Sequence, residues 1–299
     1  METLEKCPIC EYKMFTEKLE CIDYTVSKTP FKIVACSSCG FQFTNPRPSE
    51  KEIISYYKSE DYISHSNTSK GLINKIYQLA KKFTLNQKYN LISKNREVKR
   101  LLDYGCGAAD FIGYLSKKGI NVVGLEPDED ARILGKSNHD VDIQSIEKLQ
   151  NFEEERFDTI TLWHVMEHIH KLKETLKLLC NCLENNGYVY IAVPNPDSHD
   201  AAHYGKYWAA YDVPRHLYHF TKKDVLQLAK ENGLTFVESL PMYLDSFYVS
   251  MLSEKYKTGK VKLIYAFFVG LKSNLLASKK DNTYSSQIYV FRKPKKQLL

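Results

Sequence analysis

The sequence predicts an α/β fold: a doubly wound, mostly parallel seven-stranded sheet covered by helices, with a small cysteine-rich module in front and a helical cap. Three observations predict it. From Arg100 onward, short apolar runs alternate with amphipathic stretches. The first of these runs ends in the bend Gly105-Cys106-Gly107 and a helix start. Ahead of all this stand two matching Cys-x2-Cys pairs. Alternation of this length argues for parallel strands joined by helical crossovers, which put every strand's C-terminal end on one rim.

Taken in order, residues 1–47 are loop-rich and hold the cysteine pairs. Residues 48–97 read as a helical linker, with Leu72, Ile76, Leu79 and Phe83 on one face at spacings of three and four. The main domain occupies 98–299. Its strands are expected near Lys99–Asp103, Asn121–Leu125, Val141–Ile143, Phe157–Leu162, Tyr188–Val193, Thr235–Leu240 and Gln287–Phe291. Helices are expected at Asp110–Lys118, Glu129–Ser137, Lys173–Leu183 and Thr221–Gly233, with a further helix ending near Ile169. Thr221 and Asp224 carry the spacing of an N-terminal cap, and Gly233 supplies the stop. The turn Asn185-Asn186-Gly187 is expected to separate the third of these helices from its strand. An insertion, 242–282, is partly helical, aromatic and basic. Its apolar runs are short, so a buried cap over the substrate mouth is preferred to a helix lying on a membrane surface.

Composition narrows the function. The 299 residues are 43% hydrophobic and 26% charged, enough for one full core and a small appendage. A net charge of +6 is mild, so nucleic acid is not the expected partner. The start of the chain is polar and the longest apolar run, Leu263–Leu271, is too short to span a bilayer. The eight cysteines are therefore read in a reducing, cytoplasmic setting, where such spacing points to metal before disulfides.

The most informative motif is LLDYGCGAAD, residues 101–110. A strand ends in Asp103, and Gly105 and Gly107 allow close backbone approach to a ligand. The next strand, NVVGLEP, ends in Glu126, a carboxylate able to accept both hydroxyls of a ribose. A nicotinamide dinucleotide fold is disfavoured, because Asp110 stands where its last glycine should be and would repel a pyrophosphate. The constellation resembles the class I S-adenosylmethionine-dependent methyltransferases, which are Rossmann-like, from about residue 98 to the C-terminus. The resemblance implies that Asp103 meets the amino acid end of S-adenosylmethionine and Glu126 its ribose. Gln144 would lie near the adenine, and His164 at the mouth of the fourth strand. Ala109 replaces a glycine common in that family.

Methyl transfer is an in-line displacement, so the protein must align a nucleophile and, for a hydroxyl or carbon acid, dispose of a proton. Candidates fall in two segments. HVMEH supplies His164, Glu167 and His168, which helical offsets of three and four would put on one face. The segment PRHLYHFT supplies His216 and His219 as further catalytic candidates, with Arg215 and Tyr218 for the substrate. HVMEH resembles the Glu-x-x-Glu-His metal motif of ubiquinone-biosynthesis O-methyltransferases and small-RNA 3′-end methyltransferases, with His164 in place of the first glutamate. Two mechanisms stay open: a histidine base, which is preferred, or a second divalent metal at His164, Glu167 and His168, completed by His216 or His219. The metallopeptidase motif that HVMEH also matches is discounted, because it begins at a strand end.

Cys7, Cys10, Cys36 and Cys39 form two knuckles 25 residues apart, the pattern of a structural zinc ribbon. Tyr56, Tyr57, Tyr62 and His65, which follow, are candidates to reach cofactor or substrate, with core packing an equal reading for Tyr56 and Tyr57. The expectation is methyl transfer from S-adenosylmethionine to an oxygen or carbon of a small molecule. Methylation of a nucleotide-linked sugar carbon, or of RNA held by the ribbon, are the alternatives.

Overall fold

The structure is a computed structural model that describes residues 1–57, 72–279 and 282–295, without the side chains of 72–80. Tyr62 and His65 lie outside the described residues. Strands β1 (Phe15–Ile22), β2 (Pro30–Cys36) and β3 (Gln42–Thr44) form the antiparallel body of the cysteine module. Helix α1 (Leu72–Lys94) leads into the main domain. Of the face expected to pack, Phe83 is exposed and the side chains of Leu72, Ile76 and Leu79 lie outside the described residues; further along the helix Ile92, Leu85, Tyr89 and Leu91 join the core.

The main domain follows as β4 (Arg100–Tyr104), α2 (Asp110–Ser116), β5 (Asn121–Leu125), α3 (Glu129–His139), β6 (Asp142–Gln144), β7 (Phe157–Trp163), α4 (Leu172–Cys182) and β8 (Leu183–Pro194). After these come α5 (His199–Tyr204), β9 (Tyr218–His219), α6 (Lys222–Glu231), β10 (Thr235–Pro241), α7 (Asp245–Thr258), α8 (Leu263–Ala277) and β11 (Ser286–Arg292). Seven strands lie in the order β10-β11-β8-β7-β4-β5-β6, with only β11 antiparallel to its neighbours. Strand order reverses between β4 and β7. Open α/β sheets bind ligands in the crevice at the carboxyl ends beside such a reversal.

β4, β7 and the second half of β8 are buried almost throughout because helices cover both faces. Asp158, near the start of β7, accepts the amide hydrogens of Lys99 and Arg100 and so holds the entry of β4 in register. The capping box of α6 forms as expected, Thr221 and Asp224 satisfying each other's backbone.

Two local expectations are corrected. HVMEH is not a helix: His164 takes φ 57°, and only a single 3₁₀ turn, Met166–His168, follows β7. The Asn185-Asn186-Gly187 turn does not separate helix from strand either. β8 begins at Leu183 and runs through it, with Asn186 at φ 62°.

The cysteine module is not a detached appendage. β9, from the PRHLYHFT segment, adds to β3 as the fourth strand of the module's sheet. Phe41 and Phe43 are fully buried against Tyr218 and Phe220. Among the described residues, no helix is long and apolar enough to cross a membrane.

Candidate functional site

At the end of β4 the chain must turn sharply over β5. Gly105 and Cys106 both donate their amide hydrogens to the Leu125 carbonyl, at 2.7 and 3.1 Å. Gly105 has φ 75°, and a Cβ there would lie 2.4 Å from a Val165 methyl, so only glycine fits. Gly107, at φ 53°, is different: among the described residues an added Cβ would meet nothing within 4 Å. Open space above that bend leaves room for a ligand to approach the backbone.

Glu126, largely buried, faces the same bend. One carboxylate oxygen accepts from Gly107 N at 2.8 Å and the other from Asp128 N at 3.0 Å. Each oxygen keeps a further lone pair for a hydroxyl donor. Burial raises its pKa, opposed by those two amides. Asp103, also buried, accepts from Thr161 Oγ1 at 2.6 Å, and burial pushes its pKa up to about 6. Lys88 of α1 sits 4.3 Å from the Trp163 ring centre and 5.6 Å from that of Phe111. Burial lowers its pKa, while Asp103 and Asp245 act the other way. Gln144 lines the outer edge: its carbonyl accepts from Glu126 N, and its amide bonds Asp142. Ala109, in the glycine's usual place, is held in the left-handed region at φ 62° immediately before α2.

The second cluster gathers at the mouth of β7. Glu167 is 1% exposed, and among the described residues neither of its carboxylate oxygens has a hydrogen-bond partner. His164 Nδ1 is 3.5 Å away, an ion-pair distance beyond a normal hydrogen bond. A nitrogen of His168, a nitrogen of His216 and an oxygen of Glu167 lie within 4.8 Å of one another. His168 Nδ1 lies 3.0 Å from the Arg215 carbonyl, and His216 Nδ1 2.9 Å from that of Ala210. A carbonyl only accepts, so both Nδ1 atoms donate to backbone, and in the neutral rings Nε2 is the nitrogen left with a lone pair. Metal-binding histidines are commonly oriented in this way. Tyr57 Oη, 2.9 Å from His168 Nδ1, adds to that support.

The histidines differ in charge. Burial disfavours a charge on His164, but Asp245, 3.1 Å from its Nε2, and Glu167 outweigh it and raise its pKa to about 10. Burial, then the neighbouring His216, lower His168 to about 4. Burial opposes a charge on Glu167, but His164 beside it outweighs burial and holds the carboxyl below its ordinary value. His164 thus lies between two carboxylates that favour its charged form, whereas the surroundings of His168 favour the neutral ring.

Three expected residues turn away from the cleft. Arg215 is buried and bonds Asp212, Asp23, Thr25 and the Tyr56 carbonyl, so its guanidinium joins module, linker and loop instead of reaching a substrate. Tyr218 is buried in the module's sheet and donates to the His170 carbonyl. His219 lies on β9, 3.3 Å from Thr44 Oγ1, with its pKa lowered by burial. Asp245 and Lys88 carried no signal in the sequence, because neither stands in a motif and each arrives from a remote helix. Asp212, which anchors Arg215, could have been read from its offset of three within the same loop.

The four cysteine sulfurs converge as a metal would require. Cys7 and Cys39 are 3.6 Å apart, and Cys10 and Cys36 3.5 Å apart. Four thiolates about 2.3 Å from a tetrahedral zinc would be roughly 3.8 Å apart, so the residues fit the ion. Burial works against a Cys36 thiolate, but amides of Cys39 and Ser38 bring its pKa down to about 7.

Comparison with known proteins agrees with this architecture. Residues 76–239 match the model of the methyltransferase domain family. The ubiquinone biosynthesis O-methyltransferase of Pelagibacter ubique (strain HTCC1062) is 26% identical over 178 residues, 50% of this chain and 70% of that protein. Its counterpart in Bradyrhizobium diazoefficiens is 31% identical over 101 residues, 32% of this chain and 40% of that one. Among solved structures, a phosphoethanolamine N-methyltransferase of Haemonchus contortus, complexed with S-adenosylhomocysteine, superposes with a TM-score of 0.50 at 15% identity. That match covers 71% of this chain and 52% of the other. The [4+2]-cyclase SpnF matches with a TM-score of 0.50 at 14% identity, covering 73% and 83%. Similarity at that level speaks for the fold alone. The family match covers more than half of the chain: the protein belongs to the methyltransferase domain family.

Proposed function

We propose that this enzyme methylates a hydroxyl oxygen of a small molecule, with a divalent metal ion held by Glu167, His168 and His216. The carrying observation is the Glu167 carboxylate, buried without a hydrogen-bond partner among the described residues and grouped with one nitrogen each of His168 and His216, whose Nδ1 atoms face backbone carbonyls. His164, 3.5 Å from one oxygen, offsets part of the cost of burying that carboxylate, and a cation bound by the oxygens would offset the rest. This ligand set replaces the His164–Glu167–His168 set expected from the motif, because His164 is engaged with Asp245.

In this reading Glu126 holds the ribose hydroxyls, Gly105 and Gly107 let the backbone pass beneath the adenosine, and Asp103 receives the cationic amino acid end. S-adenosylmethionine supplies the activated methyl group when bound. A divalent ion at the second cluster would polarise an acceptor hydroxyl and lower its pKa. Protonated His164 stays beside Glu167 as a fixed positive charge, oriented by Asp245. The four-cysteine zinc ribbon holds β3, and through it β9, so that His216 stays opposite His168. The curated relatives named for O-methylation support oxygen over carbon as the acceptor.

The test is transfer of a labelled methyl group into a panel of hydroxylated small molecules, alongside elemental analysis. Wild-type protein is expected to carry zinc plus one further divalent ion and to form a methyl ether. Glu167→Gln is expected to lose only the second ion and at least about 100-fold in kcat/KM. Full turnover in that variant would sink the metal reading.

A further inference from the structure

Helix α8 (Leu263–Ala277) reverses the usual arrangement of a surface helix. Its buried positions are Ala266, Val269, Gly270, Ser273 and Ala277, nearly all small. Its large apolar residues point outward: Ile264 is 77% exposed, Phe268 61%, Leu275 57% and Phe267 52%. Positions 264, 268, 271 and 275 follow one another at offsets of four, three and four, so they form one continuous stripe. The small residues exist for close packing. A Cβ on Gly270 would come within 2.9 Å of the Phe247 ring and 3.0 Å of the Ser246 carbonyl oxygen on α7. Small residues between helices and large apolar ones outside is a pattern suited to lipid, where nothing drives large side chains inward.

Charge supplies the second observation. Lys255, Lys257, Lys260, Lys262, Lys272 and Lys279 are all exposed around the helix pair. No aspartate or glutamate occurs from residue 255 to 279. Among the described residues neither helix can span a bilayer, so an apolar stripe of this kind can only lie along a surface. A second copy is the poorer occupant, since a two-fold contact would set this lysine rim against itself. An anionic surface neutralises it.

We propose that the α7–α8 hairpin docks this enzyme on anionic phospholipid bilayers. The stripe through Ile264, Phe268, Leu271 and Leu275 enters the boundary between headgroups and acyl chains, and the lysines meet lipid phosphates. The sequence favoured a buried cap here. The hairpin does reach the site through Asp245, but α8 turns its apolar flank to the outside. The proposal is independent of the metal and acceptor assignments, because binding to vesicles is measured without turnover.

Flotation with vesicles of phosphatidylcholine, with and without phosphatidylglycerol, provides the test. The wild-type chain is expected to float with the anionic vesicles and at least about tenfold less with the neutral ones. The double variant Ile264→Ser/Phe268→Ser should lose at least about tenfold of that binding, and Lys260→Glu/Lys262→Glu should lose the preference for phosphatidylglycerol. Unchanged S-adenosylhomocysteine affinity in both variants serves as the check on folding. Absence of flotation with either vesicle overturns the proposal. So does sedimentation equilibrium showing a dimer that Ile264→Ser/Phe268→Ser dissociates while vesicles go unbound.

Discussion

The proposed cofactor half and acceptor half of the cleft share one sheet rim but draw on the chain in opposite ways. The cofactor half uses Asp103 to Asp128, a single strand–helix–strand unit whose parts meet as soon as β4 and β5 pair. The acceptor half needs Tyr57, His164 to His168, Asp212 to His216 and Asp245, brought together by four separate elements. It also leans on the cysteine module, since β3 pairs with β9 two residues beyond His216. The first half is therefore local and robust, and the second is contingent on distant packing.

That contrast is broken or sharpened most strongly at the ribbon. Cys36→Ser should remove the zinc and cost more than about 3 kcal/mol of module stability. Turnover should fall with the second metal site, while S-adenosylhomocysteine affinity by calorimetry stays within about twofold. A parallel loss of cofactor binding would show that the halves are not separable. Glu126→Ala is the converse experiment. Losing a charged acceptor for two hydroxyls should weaken S-adenosylhomocysteine by about 100-fold, roughly 3 kcal/mol, and leave the Glu167 metal in place.

A smaller effect is expected from pH. Asp103 has its pKa raised to about 6, so it is neutral below that pH and ionised above it. Affinity for the cationic amino acid end should be full above pH 6 and decline as pH falls through it, by at most about tenfold per unit. Asp103→Asn should flatten that profile. The same shift has a sign for stability. A carboxylate whose folded pKa exceeds the unfolded 3.8 favours the fold at low pH, and that contribution is lost as pH rises through about 6. The smallest expected effect is at the helix start. Ala109 holds φ 62°, where an L-residue is strained, so Ala109→Gly should raise stability by about 0.5–1 kcal/mol in thermal unfolding.

Legibility in the sequence follows the same division. The glycine bend, Asp103 and Glu126 could be read because strand periodicity and turn chemistry act over a few residues. The capping box at Thr221 and the four-cysteine spacing were legible for that reason too. HVMEH was legible in composition but not in geometry. Its letters suit a helix face, yet His164 at φ 57° and a single 3₁₀ turn present Glu167 to residues of another segment. Arg215 shows the opposite failure. A lone arginine beside histidines reads as an anion binder until Asp23 and Asp212 are seen to surround it.

By itself, then, the sequence determined the strands and helices of the sheet, the glycine bend after β4 and the paired cysteine knuckles, because each is written in neighbouring residues. Only tertiary structure decided which histidines face Glu167, that Asp245 holds His164 charged, and that α8 turns its large side chains outward. Those outcomes depend on burial and on contacts between segments 30 to 190 residues apart, such as Arg215 with Thr25. No local pattern encodes them, since a side chain's charge and partners are set by whatever the fold places around it.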